Sequence, residues 1–208
     1  MENALWVLLG YLFGSFPSGF LLVRLLKGID IRTVGSGNIG ATNVGRCVGR
    51  FWAVVVSVAD MLKGGFAVLL ARALATPVAD ISWLLAGVGV ASVLGHNFPV
   101  WLGFRGGKGV STTYGMLFFL APPVSCYAVL AGGAVWFLLL GIWRYVSLAS
   151  MLSLWVVALV FAALHAGPAP VAATVFLALL VLVRHRENVK RLLAGKEPRV
   201  GRPKTTMD

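Results

Sequence analysis

The sequence predicts an all-α, polytopic membrane protein with seven transmembrane helices, and three observations carry that prediction. Apolar residues make up 59% of the 208-residue chain and charged residues only 12%, with a mean hydropathy of +0.88. A soluble domain carries about 25% charged residues because water must wet its surface, so much of this surface faces lipid. The apolar residues gather into runs long enough to cross a bilayer, and the Lys and Arg residues gather between those runs. A chain of this size forms one domain, read here as 1–208 with a polar tail over 184–208.

The elements follow in order from the rule that about 20 apolar residues cross roughly 30 Å of hydrocarbon. The first span is Asn3–Leu26. Only Glu2 precedes it, while Arg24 and Lys27 come at its end, so it does not have the charge order of a secretory signal peptide. That order predicts a retained helix with its N-terminus outside. The second span is Phe51–Ala75, interrupted by Asp60 and Lys63; after a Thr76–Asp80 turn the third is Ile81–Leu102. The uncharged run Gly109–Trp143 breaks at "APP", Ala121–Pro123, leaving a short fourth helix before a full-length fifth. The run Tyr145–Val183 would be roughly 58 Å long as one helix, so it folds back. Its natural turn is "HAGPAP" at His165–Pro170, giving helices six and seven.

Charge placement supports that count. The net charge of +11 is concentrated in islands at Arg32, Arg46 and Arg50, at Arg105 and Lys108, and at Arg184, Arg186, Lys190 and Arg191. Lys196, Arg199, Arg202 and Lys204 extend the last of them. Seven crossings put every island and the C-terminal tail on one side, which the Lys/Arg bias of cytoplasmic loops makes the cytoplasm. Six crossings would put the tail opposite the first two islands. The islands are too short and too separated by spans to form a nucleic-acid surface. Cys47 and Cys126 lie far apart, one in a basic loop and one in an apolar run, so no disulfide is expected.

The first island contains "GSGNIGATN", Gly35–Asn43, whose first six residues fit G-x-G-x-x-G, with Asp60 twenty residues past the third glycine. As a dinucleotide fingerprint it fails, because such a loop needs a preceding strand and a parallel sheet, and here a membrane helix precedes it. The glycines let backbone approach an anion closely. Ser36, Asn38, Thr42 and Asn43 add neutral hydrogen-bonding groups, and Arg46 adds a planar fork suited to phosphate. The second island, "GHNFPVWLGFRGGKGVSTT" (Gly95–Thr113), is not a Walker A loop, since Leu102 and Gly109 stand where that motif needs Gly and Ser/Thr. It still sets Gly106, Gly107 and Lys108 at the mouth of a helix starting near Val110, where free N–H groups and the macrodipole attract anions. Ser111, Thr112 and Thr113 can cap that helix or contact a phosphate, and His96 is a polar residue at the end of an apolar run. In the third island, "RHRENVKRLLAGKEP", His185 and Asn188 share a helix face at i,i+3. Asp60 and Lys63 have the same spacing inside a membrane helix and predict an ion pair, with Lys63 also able to point toward an anionic ligand. The three histidines are dispersed and lack metal-ligand spacing.

These motifs, together with "GSFPSG", "DMLKG" and "YVSLASM", resemble the bacterial acyl-phosphate:glycerol-3-phosphate acyltransferase family, the PlsY type, nearly end to end. Ser111 stands where that family often has Ala, and "GKE" where it commonly has GTE. The resemblance implies a multi-pass enzyme of the bacterial inner membrane, with its active site at the cytoplasmic face and no cofactor. It moves an acyl group from acyl phosphate to the 1-hydroxyl of glycerol-3-phosphate, at the first step of phospholipid synthesis. On that reading Arg46, Lys108, Ser36 and the Gly106/Gly107 backbone contact phosphate, with Thr42, Thr112 and Lys63 as further contacts. Asn38, Asn43, Asn188 and His185 orient the glycerol hydroxyls and reacting carbonyl, and His185, His96 or a substrate phosphate takes the hydroxyl proton. Other glycerolipid acyltransferases use His-x-x-x-x-Asp; the positions five beyond His96, His165 and His185 hold Trp101, Pro170 and Lys190, so that pair is absent. A small transporter of organic phosphates is the alternative, weakened by polar groups gathered at one face and by the lack of an inverted repeat.

Overall fold

A computed structural model describes residues 2–76 and 80–201. The described residues form ten α-helices and no strand: α1 Glu2–Ser15, α2 Ser18–Lys27, α3 Ala41–Val48, α4 Arg50–Leu74, α5 Ile81–Asn97, α6 Val110–Leu120, α7 Val124–Trp143, α8 Val146–Ala163, α9 Pro168–Arg184 and α10 Arg186–Leu193. Five stretches are long and apolar enough to cross a membrane: Glu2–Lys27, Arg50–Leu74, Ile81–Leu102, Val124–Trp143 and Val146–Ala163. A sixth forms if α9 and α10, bent by 61°, are taken as one span, and α6 is a shorter apolar helix. Five or six such stretches are fewer than the seven expected crossings, and the expected fourth helix is the short α6. The chain is a multi-span, all-helical membrane protein.

Several boundaries differ from expectation for local reasons. The first span is broken at Pro17, which has no N–H to continue the helix ladder. The third helix ends at Asn97, before Pro99, and a 3-10 turn over Val100–Leu102 completes the stretch. The expected turn at Ala121–Pro123 separates α6 from α7, while the one expected at His165–Pro170 ends at Gly167, because Pro168 and Pro170 open α9. The expected Thr76–Asp80 turn and the cations Arg202 and Lys204 lie partly or wholly outside the described residues.

Glycine sets the closest helix approaches, as expected where packing rather than the hydrophobic effect drives association in lipid. A Cβ at Gly14 on α1 would lie 1.8 Å from Ser92 O on α5, and one at Gly115 on α6 would lie 1.9 Å from Met61 O on α4. α4 and α6 run parallel, tied by Ser57 Oγ and Ser111 Oγ at 3.0 Å near one end. At the other end Arg72 Nη2 donates to Phe119 O (3.1 Å) and Leu120 O (2.7 Å), capping the last carbonyls of α6. These contacts explain how an 11-residue helix is satisfied inside the bundle. They also start α6 level with Ser57, two turns into α4, a recess of roughly 10 Å at 1.5 Å per residue. The main core joins α4–α9 through residues such as Leu85, Met116, Leu117, Leu154, Phe161 and Leu177, while a smaller cluster packs α2, α3 and the start of α4 around Val23, Ile31, Ile39, Val44 and Val56.

Candidate active site

The glycine loop after α2 is folded by its own side chains. Asp30 caps the 3-10 turn Ile31–Thr33 through Arg32 N–H (2.9 Å) and pairs with the Arg32 guanidinium (2.7 Å), which holds its carboxyl below the ordinary range. Arg32 Nη1 also donates to Leu102 O at 3.0 Å, fastening this loop to the one after α5. Gly35 and Gly37 have φ of +62° and +67°, in the left-handed region that favours glycine.

Asn43 is 1% exposed, and its carboxamide is fully engaged. Oδ1 accepts from Ser36 N–H at 3.0 Å, and Nδ2 donates to Asn38 O (2.9 Å), Val34 O (3.0 Å) and Ile31 O (3.3 Å). Asn43 thus shapes the loop from within and does not offer its amide outward. Asn38 accepts from Gly40 N–H at 2.8 Å and reaches Gly106 O at 3.4 Å, so it bridges the two glycine loops. Ser36, Thr42 and Arg46 are exposed on this loop and on α3.

In the second loop the backbone is held from two sides. Gly107 N–H donates to His96 O at 3.0 Å. Arg184, at the end of α9, donates to Gly107 O through Nε (3.1 Å) and Nη2 (2.7 Å), with Gly106 O at 3.4 Å, and stacks on Phe98 at 4.9 Å. The Gly107 N–H and both carbonyls therefore face protein, so of the two expected backbone donors the Gly107 N–H is already taken. The free donors shift to the first turn of α6. The bond from Thr113 N–H to Gly109 O (2.8 Å) closes the first turn, and the N–H groups before it have no intrahelical acceptor.

Lys108 stands at that helix mouth and donates to Asn188 Oδ1. Burial pushes its ammonium down to about 8; Glu197 opposes that shift, while Arg191, Arg46 and Arg184 add to it. Asn188 is oriented by Glu197, whose Oε1 accepts from Asn188 Nδ2 (2.6 Å) and Ser147 Oγ (2.7 Å), while its Oε2 accepts from Arg191 Nε (2.8 Å). Burial raises the Glu197 carboxyl, but these bonds outweigh it and leave the group below its ordinary value. His185, beside this cluster, has Nδ1 2.8 Å from Val181 O. A carbonyl only accepts, so Nδ1 carries the proton and Nε2 keeps the basic lone pair.

Three expected contacts point elsewhere. Lys63 Nζ is taken up by Asp60 Oδ1 (2.8 Å), Phe16 O (2.9 Å) and His96 Nδ1 (2.9 Å), so its ammonium protons stay inside the bundle. The expected Asp60–Lys63 pair forms. His96 is 4% exposed, with its ring against Gly107. Thr112 is fully buried on the side of α6 facing Gly64 of α4, and its hydroxyl has no protein partner among the described residues. The candidate site brings Lys108 against Asn188, with the Arg46 charge close enough to act on Lys108 and Lys108 close enough to act on His185. It also includes Arg184 and Glu197, neither of which stood out in the sequence as a site residue. The signals for Glu197 are a carboxylate in a basic tail, nine residues beyond Asn188, and the glutamate that "GKE" shares with the family's GTE.

The family model described as glycerol-3-phosphate acyltransferase matches residues 4–195. The chain is 49% identical over 203 residues to a glycerol-3-phosphate acyltransferase of Thermus thermophilus, covering 97% of each chain. It is 48% identical over 200 residues to one of Rhodospirillum rubrum, covering 95% of this chain and 90% of that one. Two crystal structures of PlsY (YgiH), an integral membrane glycerol 3-phosphate acyltransferase, have similar folds. The glycerol 3-phosphate form gives a TM-score of 0.85 at 39% identity, and the lysophosphatidic acid form gives 0.83 at 38%, each covering 97% of this chain and 96% of that one. Coverage this complete, by a family model and by relatives far above 30% identity, means that the chain belongs to the glycerol-3-phosphate acyltransferase family of the PlsY type.

Proposed function

We propose that the protein transfers an acyl group from acyl phosphate to the 1-hydroxyl of glycerol-3-phosphate, releasing lysophosphatidic acid and inorganic phosphate. The observation that carries this reading is the convergence of Lys108, Asn188 and His185 at the recessed mouth of α6, in a chain whose relatives are named for this acceptor. The two similar crystal structures, described as glycerol 3-phosphate and lysophosphatidic acid forms, match the acceptor and product of the same step.

The residues divide the work by charge and geometry. Lys108, the free first-turn N–H groups of α6 and Arg46 attract phosphate through charge and dipole. Ser36, Thr42 and Asn38 line the approach from the first loop. Asn188, held by Lys108 on its oxygen and by Glu197 on one N–H, keeps its second Nδ2–H for the substrates. The glycerol hydroxyl oxygen attacks the acyl carbonyl, the bond from that carbon to the phosphate oxygen breaks, and phosphate leaves with its electron pair. The hydroxyl proton passes to His185 Nε2 or to a phosphate oxygen. Acyl phosphate is already activated, so positioning and charge stabilisation supply most of the rate.

The same reading has one domain crossing the bacterial inner membrane seven times, counting α6 and α9. The N-terminus is outside, and the site and the 184–208 tail face the cytoplasm, as the one-sided Lys and Arg residues support. No observation favours an organic-phosphate transporter. Phosphate release from acyl phosphate by the purified protein, strictly dependent on glycerol-3-phosphate, is the expected result; release without the acceptor, or none with it, defeats the reading.

A further inference from the structure

Asp60, Lys63 and His96 are 2%, 9% and 4% exposed, on α4 and α5, inside spanning segments. Burying each charge has a desolvation penalty of several kcal/mol, and apolar side chains of similar volume often pack as stably. A packing role alone therefore does not account for the cluster.

Its hydrogen bonds have a direction. A lysine ammonium donates and never accepts, and Lys63 Nζ lies 2.9 Å from His96 Nδ1. Nδ1 must therefore be the acceptor, which puts the ring proton on Nε2 and leaves the imidazole neutral. Asp60 Oδ1, at 3.5 Å from Nδ1, is too distant to compete. Toward α1 and α2 the cluster grips the Pro17 break from both sides: Ser18 Oγ donates to Asp60 Oδ1 at 2.6 Å, and Lys63 donates to Phe16 O at 2.9 Å. In the other direction the imidazole meets the Gly106–Lys108 loop. A Cβ on Gly107 would lie 1.8 Å from Nε2 and 2.7 Å from Cδ2 and Cε1, and Gly107 N–H is bonded to the His96 carbonyl.

We infer that Ser18, Asp60, Lys63 and His96 form an intramembrane positioning strut, running from the break in the first span to the Gly106–Lys108 backbone. It wedges a neutral, Nε2-protonated imidazole under Gly107 and so sets where Lys108 and the α6 mouth meet a phosphate. His96 is thereby a positioning residue and not the proton acceptor, and its tautomer is the reverse of that at His185. The inference rests on reading this loop as the glycerol-3-phosphate site.

Two experiments test it. The first is 15N NMR of histidine-labelled protein in nanodiscs, with the His96 signal assigned by its loss in H96Q. The expected spectrum has Nε2 protonated and Nδ1 bare. In K63M the proton moves to Nδ1, because Asp60 is then its remaining polar neighbour. A protonated Nδ1 in the wild type overturns the strut, and that measurement stands even if K63M does not fold. The second is a double-mutant cycle on the KM for glycerol-3-phosphate. G107A should raise KM by about tenfold in the wild type, but by less than about twofold in H96A, where the ring that its methyl strikes is gone. Equal factors in both backgrounds overturn the coupling. The kcat of H96Q should stay within about threefold of wild type, whereas a fall of about a hundredfold or more would mark His96 as the base. If the wild type shows no glycerol-3-phosphate turnover, the functional reading fails by itself, and the tautomer measurement still decides the strut.

Discussion

Lys108 gives the sharpest test of the anion site, because its burial has a measurable consequence. The ammonium is held down to about 8, chiefly by desolvation, so it is charged below that pH and neutral above it. An anion binds the charged form, so in the free enzyme affinity for glycerol-3-phosphate should fall as pH rises through about 8. Bound phosphate stabilises the charge and moves its loss in the complex to higher pH. The profile of kcat/KM, which reports the free enzyme, should therefore decline from about pH 8 with a slope approaching one decade per pH unit, while kcat declines later. Removing the group in K108A deletes a charge-assisted contact of about 1.5–3 kcal/mol, or roughly 10- to 150-fold in kcat/KM. Asn188 stays oriented in that variant, because Glu197 still holds its Nδ2. K108R keeps a charge that does not titrate in this range, so whatever activity it retains should lose the alkaline decline. The assay is initial-rate lysophosphatidic acid formation at varied glycerol-3-phosphate from pH 6 to 10, on variants with unchanged thermal transitions. A flat wild-type profile, or an unchanged decline in K108R, would refute the assignment.

Other predictions follow from the same contacts. Arg46→Lys should raise KM for glycerol-3-phosphate by about tenfold, because a point charge cannot reproduce a bidentate fork; unaltered saturation kinetics would remove Arg46 from the site. Glu197→Gln weakens the bonds to Ser147, Asn188 and Arg191, which should lower stability by about 1–3 kcal/mol and lower kcat as the Asn188 amide loses its fixed orientation; a scanning-calorimetry transition and kcat both equal to wild type would contradict this. The Glu197 carboxyl titrates below its ordinary value, so that contribution should be full near neutral pH and be lost as pH falls through the folded-state value. Single cysteines at positions 36 and 196 should react with an impermeant thiol reagent from one and the same side of the membrane, and labelling from opposite sides would disprove the crossing count.

The helices were legible where composition alone decides them. Runs such as Phe51–Ala75 and Ile81–Leu102 can only be buried in lipid or protein, and Ala121–Pro123 marks a break that no helix runs through. The break in the first span is also written locally, in Pro17, but a 24-residue span conceals it when only hydropathy is summed. The site was legible as chemistry but not as partnership. Lys108, Arg46, His185 and Asn188 have the expected types in the expected loops. Asn43, Lys63 and Thr112 have equally suitable types, yet the fold turns the first to its own loop, the second to Asp60 and His96, and the third toward α4. Those directions depend on which helices meet, as does the role of Arg184, whose place in a basic island reveals nothing of the Gly107 carbonyl it binds. Glu197 is the least legible of them, since a carboxylate in a basic tail looks like charge balance until Ser147 closes over it from α8.

The most direct measurement of the central claim is product formation by the purified protein in lipid vesicles, given labelled glycerol-3-phosphate and either acyl phosphate or acyl-CoA. The account predicts lysophosphatidic acid acylated at the 1-position, one inorganic phosphate released per acyl group transferred, and no turnover with acyl-CoA when acyl phosphate is absent. Robust turnover with acyl-CoA alone, or phosphate release without lysophosphatidic acid, would contradict it.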